Sequence, residues 1–458
     1  MGRVAALSLA LAVASALALP IGSPAHAETP VTVNAEGLQR LADAALRAGY
    51  ARQALDYAEV LLARDPTDTT ALIIKARALR ALGRYAEAEA AARAAWAQAE
   101  TDPARFGAAM TLAQALSLQN QRTAAQLWLR TAAEYAPNAR ARAIAERDFA
   151  YVRSQNPLRL RFDGTMQPSS NLNNGAKSPL FEFMGIPFIL SGDAMALSGV
   201  DWGMGVSGSY RLAQSQTSLT DLRFSASQQG VWLSPEARAQ APSARNGDYA
   251  YGVVELGLSR RIFLPQNGVT LTATATAGHN WYGGAGLTDY LRLDLGSEQP
   301  VGPGRIGFLA GSAEWQFPLD DAADPALVLD LDAGLLAAQR NGDSLRLSFG
   351  LGETVSDSIE AAHTRLRGAL DWQHAKPVLG MGLGVAVAVE ARDYPLSFYS
   401  FYGRQDVKLS ATVSAALTEI DYMGFSPVMS VSVARNWSNI AIYDTQTVGL
   451  SLSVKSNF

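Results

Sequence analysis

Two aspartates, Asp330 and Asp332, have the type and spacing of a carboxylate pair. Residues two apart on a β-strand point to the same face, so both carboxylates would be available for acid–base chemistry or for a cation. The same spacing suits two charges on the polar face of a sheet that pair with arginines of neighbouring strands. Arg346, Arg365 and Arg367 follow in the next two predicted strands, and we favour this second interpretation.

Cysteine and histidine, which often carry catalysis or bind metals, are scarce. The chain has no cysteine, which excludes disulfides, thiolate zinc sites and cysteine nucleophiles. His363 and His374 could serve a hydrolase as general bases, but no serine lies at a diagnostic spacing and each falls at a predicted strand end. The glycines of residues 380–384 lie inside an alternating strand, so they do not predict a nucleotide-binding loop. We therefore predict no catalytic residue, no metal site and no cofactor.

The first 27 residues have the organisation of a secretory signal peptide. Arg3 supplies a positive charge, and residues 4–19 form an apolar stretch too short for an ordinary membrane span. Helix-breaking residues follow, and the small residues before Glu28 form a cleavage site after Ala27. We expect the mature chain to begin at Glu28 rather than to keep an uncleaved anchor helix.

The overall composition is not that of an ordinary soluble enzyme, which would usually be more charged, or of a helical membrane protein, which would have long apolar runs. The 458 residues carry 38 Lys and Arg against 42 Asp and Glu, a net charge of -4 that does not favour a nucleic-acid partner. Charged residues make up only 17%, glycine reaches 39 residues, and no apolar run beyond the leader is long enough for a membrane helix.

The mature chain changes character near Asn156 and Pro157, which divides it into two predicted domains. Residues 28–157 are rich in alanine and have 16 Lys and Arg against 14 Asp and Glu. Residues 158–458 have 21 against 28, with glycine, serine and threonine in place of alanine. The first domain has helical composition and the second has strand composition.

The helical domain contains three repeats. Gly49, Gly83 and Asn120 occupy equivalent points, 34 and 37 residues apart, where a left-handed turn would join two helices. Small or apolar residues follow at fixed offsets, and prolines close the units. This pattern resembles the tetratricopeptide repeat, whose stacked helix pairs present a concave surface that binds peptides or proteins. An unrelated alanine-rich bundle is the alternative. The repeat positions are Ala54, Ala88, Ala125, Ala58, Ala92, Leu129, Leu61, Ala95 and Ala132.

The second domain alternates apolar and polar residues with a period of two. Leu158, Leu160 and Phe162 share one face of the first segment, and charged residues occupy the other. Charges opposite an apolar face, repeated over many segments, are typical of an antiparallel barrel that faces lipid outside and water inside. Fourteen such segments start near residues 158, 197, 219, 249, 268, 287, 304, 325, 344, 363, 378, 404, 425 and 445.

Connection lengths and terminal residues agree with a transmembrane barrel. Short even-numbered turns and longer odd-numbered loops alternate, as when the first and the last strand of the barrel begin and end, respectively, on the periplasmic side. Trp202 and Tyr210 share a face at a spacing that suits two aromatic girdles. Phe458 ends the last strand and is the predicted barrel-assembly signal. The predicted lumen-facing charges are Arg159, Arg161, Asp163, Asp330, Asp332, Arg346, Arg365 and Arg367.

Two stretches of the sequence resemble motifs of a known family. One is the Asn-rich segment of residues 169–175, which starts the longest predicted outer loop. The other is the end of the chain, with residues 424–427 followed by residues 435–444. Together with the domain order, they resemble the surface lipoprotein assembly modulator (Slam) family. Its members often begin the first segment with Asp, where this chain has Ser169.

The resemblance implies an outer-membrane translocon that delivers a client protein, a surface lipoprotein or a related secreted protein, from periplasm to cell surface. The repeat domain would lie in the periplasm and bind or gate the client, and Asn171, Asn173 and Asn174 are candidate client-binding residues. Expected partners are the client, the barrel assembly machinery and the lipid bilayer, with no nucleic acid, and we expect a monomer. Transport through the lumen and transport through an opened seam both stay open.

Two other functions remain as alternatives. An exopolysaccharide exporter also joins tetratricopeptide repeats to a barrel, although its repeat region is usually longer. A barrel enzyme would need a catalytic set that the sequence does not supply. The sequence therefore predicts an α+β multidomain protein: a signal peptide (1–27), a periplasmic tetratricopeptide-repeat domain (28–157) and a 14-stranded antiparallel outer-membrane barrel (158–458).

Overall fold

The structure of the protein is a computed structural model that describes residues 33–183, 186–320 and 323–456. The predicted signal peptide, its cleavage point between Ala27 and Glu28, and the predicted assembly signal Phe458 lie outside these residues.

The helical domain consists of three antiparallel helix pairs followed by a seventh helix. Gly49, Gly83 and Asn120 join the helices of each pair, with φ angles of 86°, 77° and 62°, which confirms the predicted left-handed turns. Among the described helices, none is long and apolar enough to cross a membrane. The seven helices are α1 (Ala35–Arg47), α2 (Ala51–Arg64), α3 (Thr69–Ala81), α4 (Tyr85–Gln98), α5 (Asp102–Leu118), α6 (Arg122–Glu134) and α7 (Ala139–Gln155).

Small residues at the repeat positions allow these helices to pack closely. Ala54, Ala88 and Ala125 are fully buried, and Leu61 and Leu129 are almost fully buried. Ala54, Ala88, Ala125 and Leu129 belong to one cluster that runs from α1 to α7. Burial of this apolar surface is what stabilises the stack, since each pair alone would leave one face in water. The predicted tetratricopeptide-like repeat is confirmed.

The second domain is a closed antiparallel barrel of fourteen strands. Each strand pairs with its sequence neighbour, and the last returns to the first. A separate hairpin, β2 and β3, lies within the first loop, and a short helix α8 (Pro235–Gln240) lies in another. The strands are β1 (Leu158–Ser169), β2 (Leu180–Phe183), β3 (Ile186–Ile189), β4 (Gly199–Gln214), β5 (Ser218–Leu233), β6 (Tyr251–Leu264), β7 (Val269–Tyr282), β8 (Ala285–Gly302), β9 (Arg305–Pro318), β10 (Ala326–Ala338), β11 (Ser344–Ser356), β12 (His363–Gln373), β13 (Met381–Tyr394), β14 (Arg404–Leu417), β15 (Phe425–Ser438) and β16 (Thr445–Ser456).

The barrel has two unequal ends. The end next to the helical domain, which we call the proximal end, carries the short turns, such as residues 215–217 and 303–304. The opposite, distal end carries the long loops, of which residues 170–198 form the longest. The predicted alternation of short and long connections is only partly followed. Only Gly283 and Gly284 join β7 to β8 at the distal end, and the proximal connections 374–380 and 418–424 are each one residue longer than the distal connection 357–362.

The outer surface of the barrel is a continuous apolar band. Leu256, Leu293 and Leu331 lie on β6, β8 and β10, and each is 41–56% exposed. Water would not solvate a belt of this extent in a monomer, whereas lipid tails would. Trp202 lies near the distal end of β4 and Tyr210 near its proximal end, on the same face. The structure is therefore that of an outer-membrane barrel.

Candidate functional site

The predicted lumen-facing charges of β1 lie on the strand face opposite the apolar residues. Arg159, Arg161 and Asp163 alternate with Leu160 and Phe162, and Arg161 Nε lies 2.8 Å from Asp163 Oδ1. This alternation follows directly from the period of two along a strand.

Asp330 is part of an ion pair that bridges β10 and β12. Its Oδ1 atom lies 2.5 Å from Arg365 Nη2, and Arg365 comes from the second strand along. Gly352 of the intervening β11 makes this contact possible, because a Cβ atom there would lie 2.5 Å from the same carboxylate oxygen. Sequence analysis named Arg365 as a possible partner of Asp330, and the structure brings the two together.

The remaining predicted charges have different surroundings. Asp332 lies over Gly350 in the same manner, with its Oδ1 atom 2.5 Å from where a Cβ would be. Arg346 stacks over the ring of Phe308, 4.5 Å from its centroid, rather than against an aspartate. Arg367 pairs in register with Gly350, so it occupies the same face as Asp332.

A second charged network, centred on Arg292 of β8, was not predicted. The Arg292 guanidinium lies 3.0 Å from Glu255, 3.3 Å from Glu314 and 3.3 Å from Asp294. Glu255 also accepts hydrogen bonds from Tyr290 and from a serine of β5. One guanidinium therefore joins β6, β8 and β9 across the barrel wall, and alternation alone could not indicate this because it depends on strand register.

Arginines dominate the proximal part of the barrel interior. A cavity of about 700 Å³ is lined there by Arg159, Arg223 and Arg261 of the strands and by Arg153 of α7. The carboxylates that share the cavity are already engaged, as in the contact of Asp221 with a strand arginine. The entrance is therefore electropositive, although residues 158–458 as a whole are acidic.

Two of the three predicted client-binding asparagines form side-chain hydrogen bonds with the backbone of the first distal loop. Asn171 is buried, and its side chain bonds both the carbonyl and the amide of Gly175. Asn173 donates to the carbonyl of Met195 and accepts from the amide of Leu197. Asn174 adopts a positive φ of 51°, as a turn residue does. Their amide groups shape the first distal loop, and a role in client binding stays a prediction.

Glu360 ties together three distal loops. Its carboxylate accepts hydrogen bonds from the Ser397 hydroxyl at 2.7 Å, the Phe398 amide at 2.7 Å and the Tyr443 hydroxyl at 2.9 Å. Arg404, whose guanidinium is stacked between Tyr394 and Tyr443, lies 3.3 Å from the same group. Burial raises the pKa of Glu360, but these donors and the arginine outweigh it and hold that pKa below its usual value.

The two predicted strand-end histidines contact a backbone carbonyl and an aspartate. His363 Nδ1 lies 2.7 Å from the carbonyl of Ala361, and His374 Nδ1 lies 2.8 Å from Asp343. Asp343 also accepts from Trp372, so it braces a proximal turn. Over the described part of the chain, no group of three or more acidic or histidine side chains could hold a metal ion.

The helical domain is docked on the proximal end of the barrel beside β15 and β16. Arg130 of α6 donates to the carbonyl of Met423 at 3.0 Å and to the Ser456 hydroxyl at 2.9 Å. Glu134 of α6 accepts from the Met423 amide at 2.8 Å, and Arg142 of α7 pairs with Asp421. These contacts link residues 279 to 326 positions apart, so no local sequence pattern predicts them.

Comparisons with known proteins give matches to solved structures that each cover part of this chain. No family model and no curated protein matches the chain. It is similar to the Yersinia enterocolitica type III secretion translocator chaperone SycD over 26% of this chain and 83% of that one (17% identity, TM-score 0.24). It is also similar to a bacterial polysaccharide outer membrane secretin over 65% and 98% (8% identity, TM-score 0.33), and to Acinetobacter baumannii OccAB3 over 65% and 99% (8% identity, TM-score 0.35). Membership of the surface lipoprotein assembly modulator family stays a prediction.

The geometry of the barrel is suited to transport. An apolar outer belt places it in a bilayer, and a polar inner wall of ion pairs and hydroxyls admits water. Eight strands fill their interior with side chains, and sixteen to eighteen leave an aqueous channel, so fourteen strands form a conduit of intermediate width.

Proposed function

We propose that this protein is an outer-membrane translocon that delivers a client protein, a surface lipoprotein or a related secreted protein, from the periplasm to the cell surface. In this proposal the helical repeats receive or gate the client, and the barrel forms its route. The client, the barrel assembly machinery and the bilayer are its proposed partners, and the chain acts as a monomer.

The docking of the repeat domain is the observation that carries the proposal. Stacked tetratricopeptide-like helices bind polypeptide segments on their exposed surfaces. Here Arg130, Glu134 and Arg142 attach such a stack to the proximal turn of β14 and β15, so a bound client would lie at the barrel entrance. A porin would have no use for a protein-binding module at that position.

The orientation in the membrane follows from the two barrel ends. Bacterial barrels keep short turns in the periplasm and long loops outside. The short turns lie at the proximal end together with the repeat domain, which supports a periplasmic location for that domain. The distal loops, held by Asn171, Asn173 and Glu360, would then face the medium and be the last part that a client passes.

Width limits the form in which the client passes. A fourteen-strand barrel whose wall carries the side chains of Arg292 and Arg365 is too narrow for a compact folded domain but accommodates an extended segment. The client is therefore expected to pass as extended chain, with folding at the far side.

Deletion of the gene, followed by labelling of surface proteins with a membrane-impermeant reagent, tests the function. We expect one or a few proteins to disappear from the surface, to accumulate in the periplasm, and to return when the full-length chain is restored. Loss of an exported polysaccharide with an unchanged set of surface proteins would overturn the proposal in favour of exopolysaccharide export.

A further inference from the structure

The proximal part of the barrel interior contains arginines that no carboxylate neutralises. The cavity there is lined by six arginines and three carboxylates, a formal balance of +3. Among the described residues, four of these arginines have neither an ion pair nor a side-chain hydrogen bond. They are Arg153 of α7, Arg159 of β1, Arg223 of β5 and Arg261 of β6, and all four are exposed to the cavity. Their positive charge is therefore available to a bound molecule.

The three carboxylates of this cavity are each held by another arginine. Glu255 and Asp294 lie 3.0 Å and 3.3 Å from the guanidinium of Arg292. Asp221 lies 3.6 Å from Arg211, whose side chain is only 13% exposed. Because these carboxylates are already engaged, they do not compete with an anion that enters the cavity.

The strand register spaces part of this positive charge regularly. Arg159 pairs with Ser209 of β4, and Ser209 pairs with Arg223 of β5. The same row continues through Gly257 and a threonine of β7 to Arg292 of β8. An arginine therefore occurs at every second strand, about 10 Å from the next, and only small side chains lie between them. The guanidinium groups are left free to reach into the lumen.

Arginines nearer the distal end differ, because carboxylates of the barrel itself neutralise them. Arg365 lies 2.5 Å from Asp330, and Arg404 lies 3.3 Å from both Glu360 and Asp406. These pairs join neighbouring strands and loops, so they stabilise the wall. The unpaired arginines of the proximal cavity make no such contact among the described residues, and wall stability does not account for them.

The repeat domain contributes to the same cavity. Arg153 belongs to its last helix and lies three residues before Asn156, whose side chain donates to Thr123 of α6 at 3.0 Å. The cavity is therefore continuous with the helical stack, and stacks of this kind bind polypeptides on their exposed surfaces. This continuity favours a polypeptide, rather than a sugar or a small anion, as the molecule that occupies the cavity.

We propose that the proximal cavity binds an acidic segment of the client polypeptide, whose aspartate or glutamate side chains pair with the unpaired arginines. The inference rests on the proposed function for its client, and it adds the chemistry that this client must carry. Guanidinium groups bind carboxylates through charge-assisted hydrogen bonds, and a cleft lined by one sign of charge raises the local concentration of the opposite charge. The arginines thereby draw the acidic segment from the repeat domain into the barrel.

Peptide binding to the full-length protein in lipid nanodiscs tests the site. The probe is a fluorescent, flexible peptide of about ten residues in which glutamate and glycine alternate. Its two controls contain glutamine or lysine in place of glutamate. We expect only the glutamate peptide to bind, and to bind more weakly as the salt concentration rises. Equal binding of the glutamate and glutamine peptides would overturn the inference.

Substitution of two arginines places the binding in the cavity. We expect the glutamate peptide to bind about tenfold more weakly to Arg223→Gln/Arg261→Gln, but only about threefold more weakly to Arg223→Lys/Arg261→Lys, which keeps both charges. Arg340→Gln, at an exposed proximal turn, is the matched control and should bind the peptide as the parent protein does. The shift in gel mobility on heating shows that each variant is folded. Undiminished binding to Arg223→Gln/Arg261→Gln would overturn the inference.

Export of the client separates this inference from the proposed function. In Arg223→Gln/Arg261→Gln we expect less client at the surface and more in the periplasm. Export at the parent level would overturn the inference while the proposed function stands. Tighter binding of an oligogalacturonate than of the glutamate peptide would also overturn it, in favour of an anionic sugar. If the gene deletion leaves every surface protein in place, the proposed function fails, whereas peptide binding still decides whether the cavity accepts acidic segments.

Discussion

The carboxylate of Glu360 is bonded to groups in two other distal loops, so its ionisation is expected to affect how these loops pack. Burial raises its pKa, but donors from Ser397, Phe398 and Tyr443 and the charge of Arg404 leave that pKa below the usual 4.5. A carboxylate whose pKa is lowered by folding contributes stability at pH values above its unfolded pKa. That stability is lost as the pH falls through the lower folded value, so we predict ordered loops at neutral pH and loosened loops in acid.

Hydrogen exchange of residues 395–403, compared at pH 7 and below pH 4, measures this effect. After correction for the intrinsic rate, we expect these residues to exchange faster in acid. In Glu360→Gln they should exchange several times faster already at pH 7, because the glutamine side chain keeps an acceptor but not the charge that holds Arg404. Glu182, an exposed carboxylate of β2, supplies the control Glu182→Gln. Equal protection in wild type and Glu360→Gln at neutral pH would contradict the prediction.

Individual charges show where residue-level prediction succeeds. The alternation of leucine and charge was enough to name Arg346, Arg365 and Arg367 as candidate partners of Asp330 and Asp332, and the structure pairs Arg365 with Asp330. The hub at Arg292 was missed because Glu255 and Glu314 reach it through the stagger of three strands. No residue-type pattern encodes that stagger. The fit of Asp330 over Gly352 has the same origin.

The helix-joining turns of the repeats provide a prediction at the level of elements. Gly83 has a φ of 77° and open space around its missing Cβ, so Gly83→Ala costs only the backbone strain of a left-handed alanine, about 1 kcal/mol. Asn120 has a φ of 62° at the equivalent point, where Asn120→Gly should have little effect, because either residue tolerates this conformation.

Thermal unfolding of the full-length protein, followed by the circular dichroism of its helices, distinguishes the Gly83→Ala and Asn120→Gly variants. We expect Gly83→Ala to lower the midpoint of the helical transition by several degrees, and Asn120→Gly to leave it nearly unchanged. If Asn120→Gly lowers the midpoint as much as Gly83→Ala does, the asparagine side chain, and not the turn conformation, stabilises the pair of helices that it joins.

Elements were easier to predict than their connections. All fourteen barrel strands start within three residues of the predicted positions, because apolar alternation and turn residues mark each strand locally. The hairpin of β2 and β3 was not predicted, since it is built from a short apolar run that does not alternate. The abrupt Gly283-Gly284 turn was also missed, because a regular alternation of loop lengths was assumed.

The relative position of the two domains depends on an interface that no local sequence pattern predicts. Two arginines and a glutamate of α6 and α7 meet a turn nearly 300 residues later. Helix α6 also contacts Asn156, just before β1, and Ser456, at the end of β16. Helices and strands could be predicted because each follows its own period. Their relative position could not, because it depends on a few side chains whose partners are distant in sequence.

Removal of Arg130 and Arg142 should uncouple the repeat domain from the barrel. Each arginine makes charge-assisted hydrogen bonds at the interface, and together they contribute about 2 kcal/mol, so the undocked fraction should rise roughly 30-fold in Arg130→Ala/Arg142→Ala. Spin labels on cysteines introduced at Val60 and Leu379, both well exposed, report the distance between α2 and the proximal turn. We expect one narrow distance distribution in the parent protein and a broad one in the double variant.

On gels, the shift in mobility that heating causes by unfolding the barrel should be the same in this variant as in the parent protein, since neither arginine lies in the barrel wall. Arg147→Ala, on the same helix α7 and exposed to solvent, is the matched control and should keep the narrow distribution. If the repeat domain presents the client to the barrel, the double variant should also export less client. A narrow distribution in the double variant would mean that other contacts hold the domains together, and that Arg130 and Arg142 do not govern delivery.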